Sequence, residues 1–207
     1  MSRKTAVFDL DGTLVDSASI VGEILNEMRG EQGLAPLAVE FYRLWSSRGG
    51  EHLVGNALGV PPARAVNLLG EFRRRYHLRE TPRNSVFPGV YDALDSLVTA
   101  GYDLAICSNT PGHLCRKVLR ETNLERYFVL VLGGDSLPKR KPDPAPLLCA
   151  LAELNGRTDR AVMIGDSTVD QQTAESADVR FVFFAGGYDD GVARDRAFRV
   201  VERHDEL

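Results

Sequence analysis

The sequence predicts an α/β protein built on a doubly wound, mainly parallel sheet into which an all-helical cap domain is inserted. Two observations indicate the sheet: five short apolar runs rich in β-branched and aromatic residues, and helical patterns between the later runs. Continuous apolar runs are typical of parallel strands covered by helices on both faces. The alternation of such strands with helices predicts βαβ units and a Rossmann-like core.

The elements of this core follow from the apolar pattern. The predicted main strands are residues 5–10, 103–108, 128–133, 161–165 and 179–185, with 197–201 as a short edge strand. One helix is opened by Pro88-Gly89 and ended by Gly101, and further helices are predicted over 114–122, 144–155 and 168–177.

The third observation is the long interval after the first strand. Residues 15–84 carry apolar side chains at helical spacing, such as Ile20, Ile24 and Met28, and contain no convincing strand. We therefore predict two domains: an α/β core formed by residues 1–14 and 85–207, and a helical cap formed by residues 15–84.

Length and charge limit the class of protein. The 207 residues suffice for one sizeable core and a small accessory domain. A formal net charge of -4 gives no reason to expect a nucleic acid or an anionic membrane as partner. No apolar run approaches membrane-spanning length. A monomer and a homodimer are equally compatible with the sequence.

Cysteine usage and the chain ends predict a cytoplasmic protein. Cys107, Cys115 and Cys149 are odd in number and lack CxxC spacing, which predicts reduced thiols. The final residues His-Asp-Glu-Leu match an endoplasmic-reticulum retention signal. The chain passes from Met1 directly into a predicted strand without room for a signal peptide, so we expect this signal to be unused.

The first predicted strand ends in two carboxylates, Asp9 and Asp11. Residues i and i+2 of an extended chain point to the same side, so the two charges would lie together. At about 4 Å they would repel by roughly 4 kcal/mol at an effective dielectric near 20. A bound cation, a shared proton or solvent could offset this repulsion, and the pair alone does not distinguish them.

Other strand ends carry polar groups too. The relevant segments are Asp9-Leu10-Asp11-Gly12-Thr13, Ser108-Asn109-Thr110, Lys139-Arg140-Lys141-Pro142-Asp143-Pro144 and Gly165-Asp166-Ser167-Thr168-Val169-Asp170. Because working residues of open α/β sheets gather at the carboxyl ends of the strands, these groups are predicted to converge on one crevice.

Four ordered motifs, DLDGTLVDS, SNT, KPDP and GDSTVD, resemble those of the haloacid dehalogenase superfamily, in its phosphoglycolate-phosphatase-like branch with a helical cap. The resemblance implies that Asp9 is a nucleophile that forms an aspartyl-phosphate and that Asp11 is the general acid and base. It also implies Mg²⁺ as cofactor, with Asp9, Asp166 and the main-chain carbonyl of Asp11 as ligands.

The resemblance assigns supporting roles to further residues. Ser108, Asn109 and Lys141 would bind the phosphoryl group, with Ser108 and Lys141 acting catalytically. Asp170 would support the metal site by hydrogen-bonding metal waters or Lys141. From the residues alone, Ser108 could equally cap a helix, and Lys141 could belong to a basic surface triplet.

The cap segment offers one further candidate. Arg48 lies in a glycine-broken polar stretch and could bind a substrate carboxylate or second phosphate, or could be a surface arginine in a helix–helix turn. Residues 73–75, three consecutive arginines, are predicted to form a solvated helix face.

The predicted function is Mg²⁺-dependent hydrolysis of a small phosphorylated metabolite such as phosphoglycolate. Residues 15–84 contain no lysine, which excludes the Schiff-base chemistry of the family's phosphonate hydrolases, and Asp11 argues against dehalogenation. A sugar phosphomutase and a catalytically silent binding protein remain the alternatives.

Overall fold

The computed structural model describes residues 3–48 and 50–207. Six strands form one sheet: β1 (Arg3–Phe8), β2 (Tyr102–Cys107), β3 (Phe128–Leu132), β4 (Gly156–Gly165), β5 (Arg180–Phe184) and β6 (Arg199–Val201). Their order is β3-β2-β1-β4-β5-β6, and every pairing is parallel. The predicted doubly wound parallel sheet is confirmed.

The strand order changes direction beside β1. This strand pairs with β2 on one side and with β4 on the other, while the chain continues outward from both neighbours. Open α/β sheets bind their ligands in the crevice that forms at such a point, beyond the carboxyl ends of the strands. Asp9 follows the last residue of β1, so the topology places it at the opening of this crevice.

Eight α-helices accompany the sheet in the described part of the chain. The first four are α1 (Ala18–Glu31), α2 (Val39–Ser46), α3 (Gly50–Leu58) and α4 (Ala65–Leu78), all between β1 and β2. The other four are α5 (Val90–Thr99), α6 (Gly112–Glu121), α7 (Ala145–Glu153) and α8 (Thr168–Ser176). None of the described helices has both the length and the hydropathy needed to cross a lipid bilayer.

Alternating strand residues build a core on each face of the sheet. Val7 belongs to the cluster that includes apolar residues of α7 and α8. Its neighbour Phe8 belongs to the cluster that contains residues of α5, α6 and the four inserted helices. Both side chains are fully buried, and burying a side chain of this size contributes roughly 1.5–3 kcal/mol. Coverage on both faces explains why the strands are apolar without alternation.

The chain enters and leaves the inserted helices along one short antiparallel contact. Val15 and Val86 form an isolated antiparallel bridge. The N–H of Asp16 donates to the carbonyl of Ser85 at 2.7 Å, and the N–H of Phe87 donates to that of Leu14 at 3.0 Å. The division into a core of 1–14 and 85–207 and a cap of 15–84 stays a prediction.

Most strand boundaries differ from the predicted ones by one or two residues, and the start of β4 differs by five. β1 ends at Phe8, whereas the predicted strand continued through residue 10; the N–H of Asp9 still donates to the carbonyl of Ile164 at 2.9 Å, and the turn follows after Leu10. β4 begins at Gly156, before the predicted start at residue 161. Its first residues, Gly156 to Arg160, are largely polar and exposed, so the criterion of an apolar run does not detect them.

Candidate active site

Asp9 is the centre of the candidate site. Its side chain is almost completely buried, and Oδ1 accepts a hydrogen bond from the N–H of Leu10 at 2.7 Å. The same oxygen lies 2.9 Å from Nζ of Lys141. Burial raises the pKa of Asp9 to about 7; Asp170 and Asp11 add to the rise, and Lys141 opposes it. The charged form of this carboxylate therefore depends on nearby positive charge.

Lys141 provides such a charge. It lies in the loop between β3 and α7, and its Nζ donates to Oδ1 of Asp170 at 2.6 Å. Burial disfavours the ammonium form, but Asp170 and Asp9 outweigh this effect and raise the pKa of Lys141. Lys141 is thus a fixed cation between two carboxylates. Lys139, two residues earlier, pairs on the surface with Asp143 at 2.8 Å.

Asp170 is fixed by the start of α8. Ser167 and Asp170 form a capping box: the side chain of Ser167 accepts from the N–H of Asp170, and the Asp170 side chain accepts from the N–H of Ser167. The Ser167 hydroxyl donates to Oδ2 of Asp170 at 2.6 Å. Both oxygens of Asp170 are therefore engaged, one by Lys141 and one by Ser167.

Asp166 lies at the carboxyl end of β4 and is fully buried. Its Oδ1 accepts from the hydroxyl of Thr13 at 2.8 Å, and its Oδ2 accepts from the N–H of Tyr188 at 2.9 Å. Burial, followed by the charges of Asp170 and Asp9, raises its pKa well above the ordinary range. An additional positive charge would favour ionisation of this group.

Gly12 allows the backbone to approach Asp166 closely. It has a φ of 83°, and a Cβ at this position would lie 2.2 Å from Oδ2 of Asp166. Both the left-handed conformation and the close approach favour glycine. The turn after β1 is thereby held against the carboxylate at the end of β4.

Asp9, Asp166 and Asp170 form one acidic cluster. Each offers an oxygen, and these oxygens lie within 4.8 Å of one another. With Lys141 as the cation beside them, the ionised set carries a net charge of -2, from three carboxylates and one ammonium. Oxygen donors with an excess of two negative charges suit a hard divalent cation such as Mg²⁺. The donor set therefore fits the group that the resemblance implies.

The side chain of Asp11 faces a different part of the crevice. Its Oδ2 accepts a hydrogen bond from the hydroxyl of Thr110 at 2.7 Å, and the carboxylate is not part of the acidic cluster. A small cavity is lined by both Asp9 and Asp11, together with Ser108, Asn109 and Lys141. The structure thus brings the two aspartates to one crevice while giving them different partners.

The loop after β2 faces this cavity. The hydroxyl oxygen of Ser108 accepts from the N–H of Thr110 at 3.1 Å, which leaves its proton able to donate elsewhere. Nδ2 of Asn109 donates to the carbonyl of Lys141 at 3.0 Å and to that of Ser47 at 3.3 Å. Asn109 therefore connects the loop that carries Lys141 with the inserted helices.

Arg48 is directed toward a neighbouring loop. Nε of Arg48 lies 3.8 Å from Oδ2 of Asp190, and the guanidinium lies 5.3 Å from the centre of the Trp45 ring. About half of its side chain is exposed. Arg48 does not line the cavity of Asp9 and Asp11, and its predicted contact with substrate stays a prediction.

The structure adds residues that the motifs did not indicate. Tyr188 contributes its N–H to Asp166, and its hydroxyl donates to Asp16 at 3.0 Å. Tyr188 follows β5, so the rule of strand ends, applied to the fifth strand as well, would have pointed to this loop. Thr110 stood within a motif, but its bond to Asp11 depends on tertiary structure.

A second, mainly apolar cavity adjoins the first. It shares Asp11, Ser46, Asn109 and Thr110 with the smaller cavity and extends toward α4. Its volume of about 60 Å³ suits a compact organic group. Arg73 lines it, whereas Arg74 and Arg75 pair with Glu71 at 2.8 and 2.6 Å. Arg74 and Arg75 thus form the surface ion pairs expected of a solvated helix face, whereas Arg73 lines a cavity.

Fold and crevice are those of a phosphoryl-transfer hydrolase. The sequence model described as haloacid dehalogenase-like hydrolase matches residues 6–184. The chain belongs to the haloacid dehalogenase-like hydrolase family, and the resemblance inferred from its four motifs is confirmed.

Alignments with individual relatives cover most of the chain. The chain is 36% identical over 207 residues to a phosphoglycolate phosphatase of Cereibacter sphaeroides, covering 97% of this chain and 94% of that protein. It is 37% identical over 187 residues to a phosphoglycolate phosphatase of Rhodobacter capsulatus, covering 88% and 84%. A crystal structure of a predicted phosphoglycolate phosphatase from Haemophilus somnus shares the fold, with a TM-score of 0.85, 24% identity and coverage of 100% and 96%.

Proposed function

We propose that this chain hydrolyses a small phosphomonoester of the phosphoglycolate type through an aspartyl-phosphate on Asp9, with Mg²⁺ as cofactor. The predicted phosphatase class, with a small phosphorylated metabolite as substrate, is confirmed by the family and by relatives of similar length. The observation that carries the mechanistic proposal is the buried contact of Asp9 with Lys141, within a group of three carboxylates and one ammonium that has a net charge of -2.

The residues proposed to hold Mg²⁺ are Asp9, Asp166 and the main-chain carbonyl of Asp11. We assign Asp170 a supporting role, because its oxygens are bonded to Lys141 and Ser167. Oδ2 of Asp9 accepts no hydrogen bond from the residues that the structure describes, which leaves it available as a ligand or as the attacking atom. When bound, Mg²⁺ would supply positive charge to the phosphoryl oxygens and to the carboxylates around them.

In the first half of the reaction, a carboxylate oxygen of Asp9 attacks phosphorus in line with the ester oxygen. The bond from phosphorus to the ester oxygen breaks as the bond to Asp9 forms. Asp11, in its protonated form, gives its proton to the leaving alcohol oxygen. The products of this half are the free alcohol and a phosphorylated Asp9.

In the second half, Asp11 accepts a proton from a water molecule that attacks the same phosphorus. The bond between Asp9 and phosphorus breaks, inorganic phosphate leaves, and Asp9 is again a carboxylate. Lys141 and the Ser108 hydroxyl are proposed to stabilise the negative charge on the phosphoryl oxygens in both halves. Asn109 is proposed to position this group through its bond to the Lys141 loop.

A trapping experiment with two isosteric variants tests the mechanism. Asp9→Asn should lose turnover without forming any phosphoenzyme. Asp11→Asn should lose turnover by about 10²–10⁴-fold, the usual value of general acid–base catalysis. With p-nitrophenyl phosphate, whose leaving group needs no proton, Asp11→Asn should nevertheless become phosphorylated, and peptide mass spectrometry should locate the added phosphoryl group on Asp9.

The same experiment can overturn the proposal. A phosphoryl group found on Ser108, or on the Asp9→Asn enzyme, would contradict the assignment of the nucleophile.

Conversion of a sugar phosphate into an isomer without release of inorganic phosphate would instead indicate the phosphomutase alternative. Loss of all activity in the wild-type enzyme after transfer to Mg²⁺-free buffer, with recovery on adding Mg²⁺, is expected for the proposed cofactor.

A further inference from the structure

Tyr76 lines the second cavity, and its buried hydroxyl has no hydrogen-bond partner among the residues that the structure describes. Tyr76 on α4 is 4% exposed, and among the described residues nothing bonds to its hydroxyl. Burying a hydroxyl without a partner is unfavourable, and nearly all buried side-chain polar groups are bonded to protein or water. Tyr76 lines the cavity that adjoins Asp11, so a ligand in this cavity is a suitable partner.

The hydroxyl of Tyr76 is suited to donate. Burial, together with the charge of Asp11, raises its pKa well above the ordinary value of 10.0. Tyr76 therefore keeps its proton throughout the neutral range. A group that retains a proton and has no acceptor favours an acceptor on the ligand, such as a carboxylate oxygen.

Arg73 adds a positive charge to the same wall. It precedes Tyr76 by one helical turn, so the two side chains leave the same face of α4. Leu69 and Phe72 complete this face of the cavity. Within the described ranges, 3–48 and 50–207, the structure gives Arg73 no ion pair of the kind that engages Arg74 and Arg75. Its guanidinium is therefore available to an anion.

The charged residues at the two ends of the cavity determine which end of a ligand faces Asp11 and which faces α4. Asp11 lines it on the side of the catalytic crevice, and Arg73 and Tyr76 line it from the inserted helices. Glu51, an acidic group close enough to feel the charge of Arg73, is already paired with Arg140 at 3.1 Å. The negative end of a leaving group is thus favoured at α4 and disfavoured beside Asp11.

We propose that Tyr76 and Arg73 recognise a carboxylate on the leaving group, so that this phosphatase prefers short phosphorylated acids over neutral phosphate esters of equal size. This inference rests on the proposed function and names the residues that determine its specificity. The phosphoryl group lies against Asp9, the ester oxygen against Asp11, and the carboxylate against α4. The apolar walls accommodate the short carbon chain between them.

Two substrates that differ only in the carboxylate test this inference. 2-Phosphoglycolate and ethyl phosphate have leaving groups of two carbons, and the wild-type enzyme should show a much higher kcat/KM for 2-phosphoglycolate. Tyr76→Phe should reduce kcat/KM for 2-phosphoglycolate by roughly tenfold or more, as expected for a lost hydrogen bond to a charged group. It should leave ethyl phosphate within about twofold of the wild type.

Arginine variants provide the matched control. Arg73→Gln should reduce the preference for 2-phosphoglycolate, whereas Arg74→Gln, one residue along and paired on the surface with Glu71, should not. Because Tyr76→Phe removes a buried hydroxyl without a partner, its thermal unfolding temperature should be equal to or higher than that of the wild type, which separates a lost substrate contact from a folding defect.

Specific outcomes would overturn the inference. Equal losses on both substrates in Tyr76→Phe would indicate a structural role, and an unchanged substrate ratio in both Tyr76→Phe and Arg73→Gln would exclude recognition by α4. A wild-type enzyme without preference between the two esters would also refute it. The proposed function is judged separately, by Asp9-dependent hydrolysis of p-nitrophenyl phosphate, which has no carboxylate.

Discussion

The ammonium nitrogen of Lys141 lies 2.6 Å from Oδ1 of Asp170, and both side chains are almost completely buried. The same nitrogen lies 2.9 Å from Oδ1 of Asp9. Asp170 therefore holds the lysine in place against the proposed nucleophile. Removing one partner of such a buried ion pair is strongly destabilising, because it leaves the other charge buried without compensation.

Replacing Lys141 by methionine should reduce both turnover and stability. We expect kcat to fall by about 10²–10³-fold, the effect of removing one group that stabilises transition-state charge. The free energy of unfolding should fall by about 3–5 kcal/mol, because Asp170 is left buried without its cation. Denaturant unfolding at pH 7 and steady-state kinetics measure the two effects.

Two further variants separate these effects. Lys139→Met removes an exposed lysine of the same loop, whose partner is Asp143, and should change neither quantity appreciably. The double variant Lys141→Met with Asp170→Asn should recover part of the stability but none of the activity. Recovery of activity in the double variant would show that Lys141 only neutralises Asp170.

Two members of the acidic cluster could be predicted because they stand at strand ends. Asp9 follows β1 and Asp166 follows β4, and neighbouring parallel strands bring their carboxyl ends together. Spacing along the chain and hydrophobic pattern therefore sufficed to place them in one crevice. The same rule explains the position of Ser108 after β2.

Residues that lie on helices or depend on side-chain direction could not be predicted in this way. Tyr76 follows the apolar spacing of α4, which indicates burial and gives no sign of an unpartnered hydroxyl. Arg73 belongs to a run of three arginines, and only the orientation of α4 relative to the cavity determines that Arg73 lines it while Arg74 and Arg75 do not. The bond from Thr110 to Asp11 joins segments far apart in sequence.

Binding of Mg²⁺ should stabilise the folded protein. Its proposed ligands are preformed and their mutual repulsion is relieved by the cation, so the free energy of unfolding should rise by about 2.7 kcal/mol at a free concentration of 100 times Kd. Thermal unfolding with and without MgCl₂ measures this as an increase in Tm. Asp166→Asn should abolish the increase, whereas Asp95→Asn, an exposed acid on α5, should retain it. An equal increase in both variants would place the cation elsewhere.

Thr110 should support the proton transfers proposed for Asp11. Its hydroxyl donates to Oδ2 of Asp11 at 2.7 Å and so fixes the orientation of this carboxylate. Thr110→Val should lower kcat for alkyl phosphates by roughly tenfold, a part of the 10²–10⁴-fold that acid–base catalysis supplies. Thr110→Ser keeps the hydroxyl and should remain near the wild-type rate.

The choice of substrate separates this role from a general disturbance of the site. With p-nitrophenyl phosphate the leaving group needs no proton, so formation of the phosphoenzyme by Thr110→Val should be nearly as fast as in the wild type. A burst experiment that resolves this first step provides the measurement. A tenfold slower burst would mean that Thr110 affects the nucleophile and not only Asp11.

His204 near the end of the chain gives the protein a predictable sensitivity to acid. The ring is 1% exposed and lies 4.2 Å, centre to centre, from that of Phe184. The backbone groups of Thr13 and Pro88 favour the charged ring, but burial outweighs them. Burial lowers the pKa of His204 from 6.5 to about 4, so the folded protein keeps this ring neutral at pH values where an unfolded chain protonates it.

Stability should therefore fall as the pH decreases from about 6.5 toward 4, because protons bind the unfolded state preferentially in this range. From these two pKa values His204 alone should remove about 2 kcal/mol from the free energy of unfolding between pH 7 and pH 5, at 1.36 kcal/mol per pKa unit. Denaturant unfolding at the two pH values should show this loss in the wild type and in His52→Gln, which changes an exposed histidine, and a loss smaller by about that amount in His204→Phe. Equal losses in all three proteins would show that His204 does not govern this pH dependence.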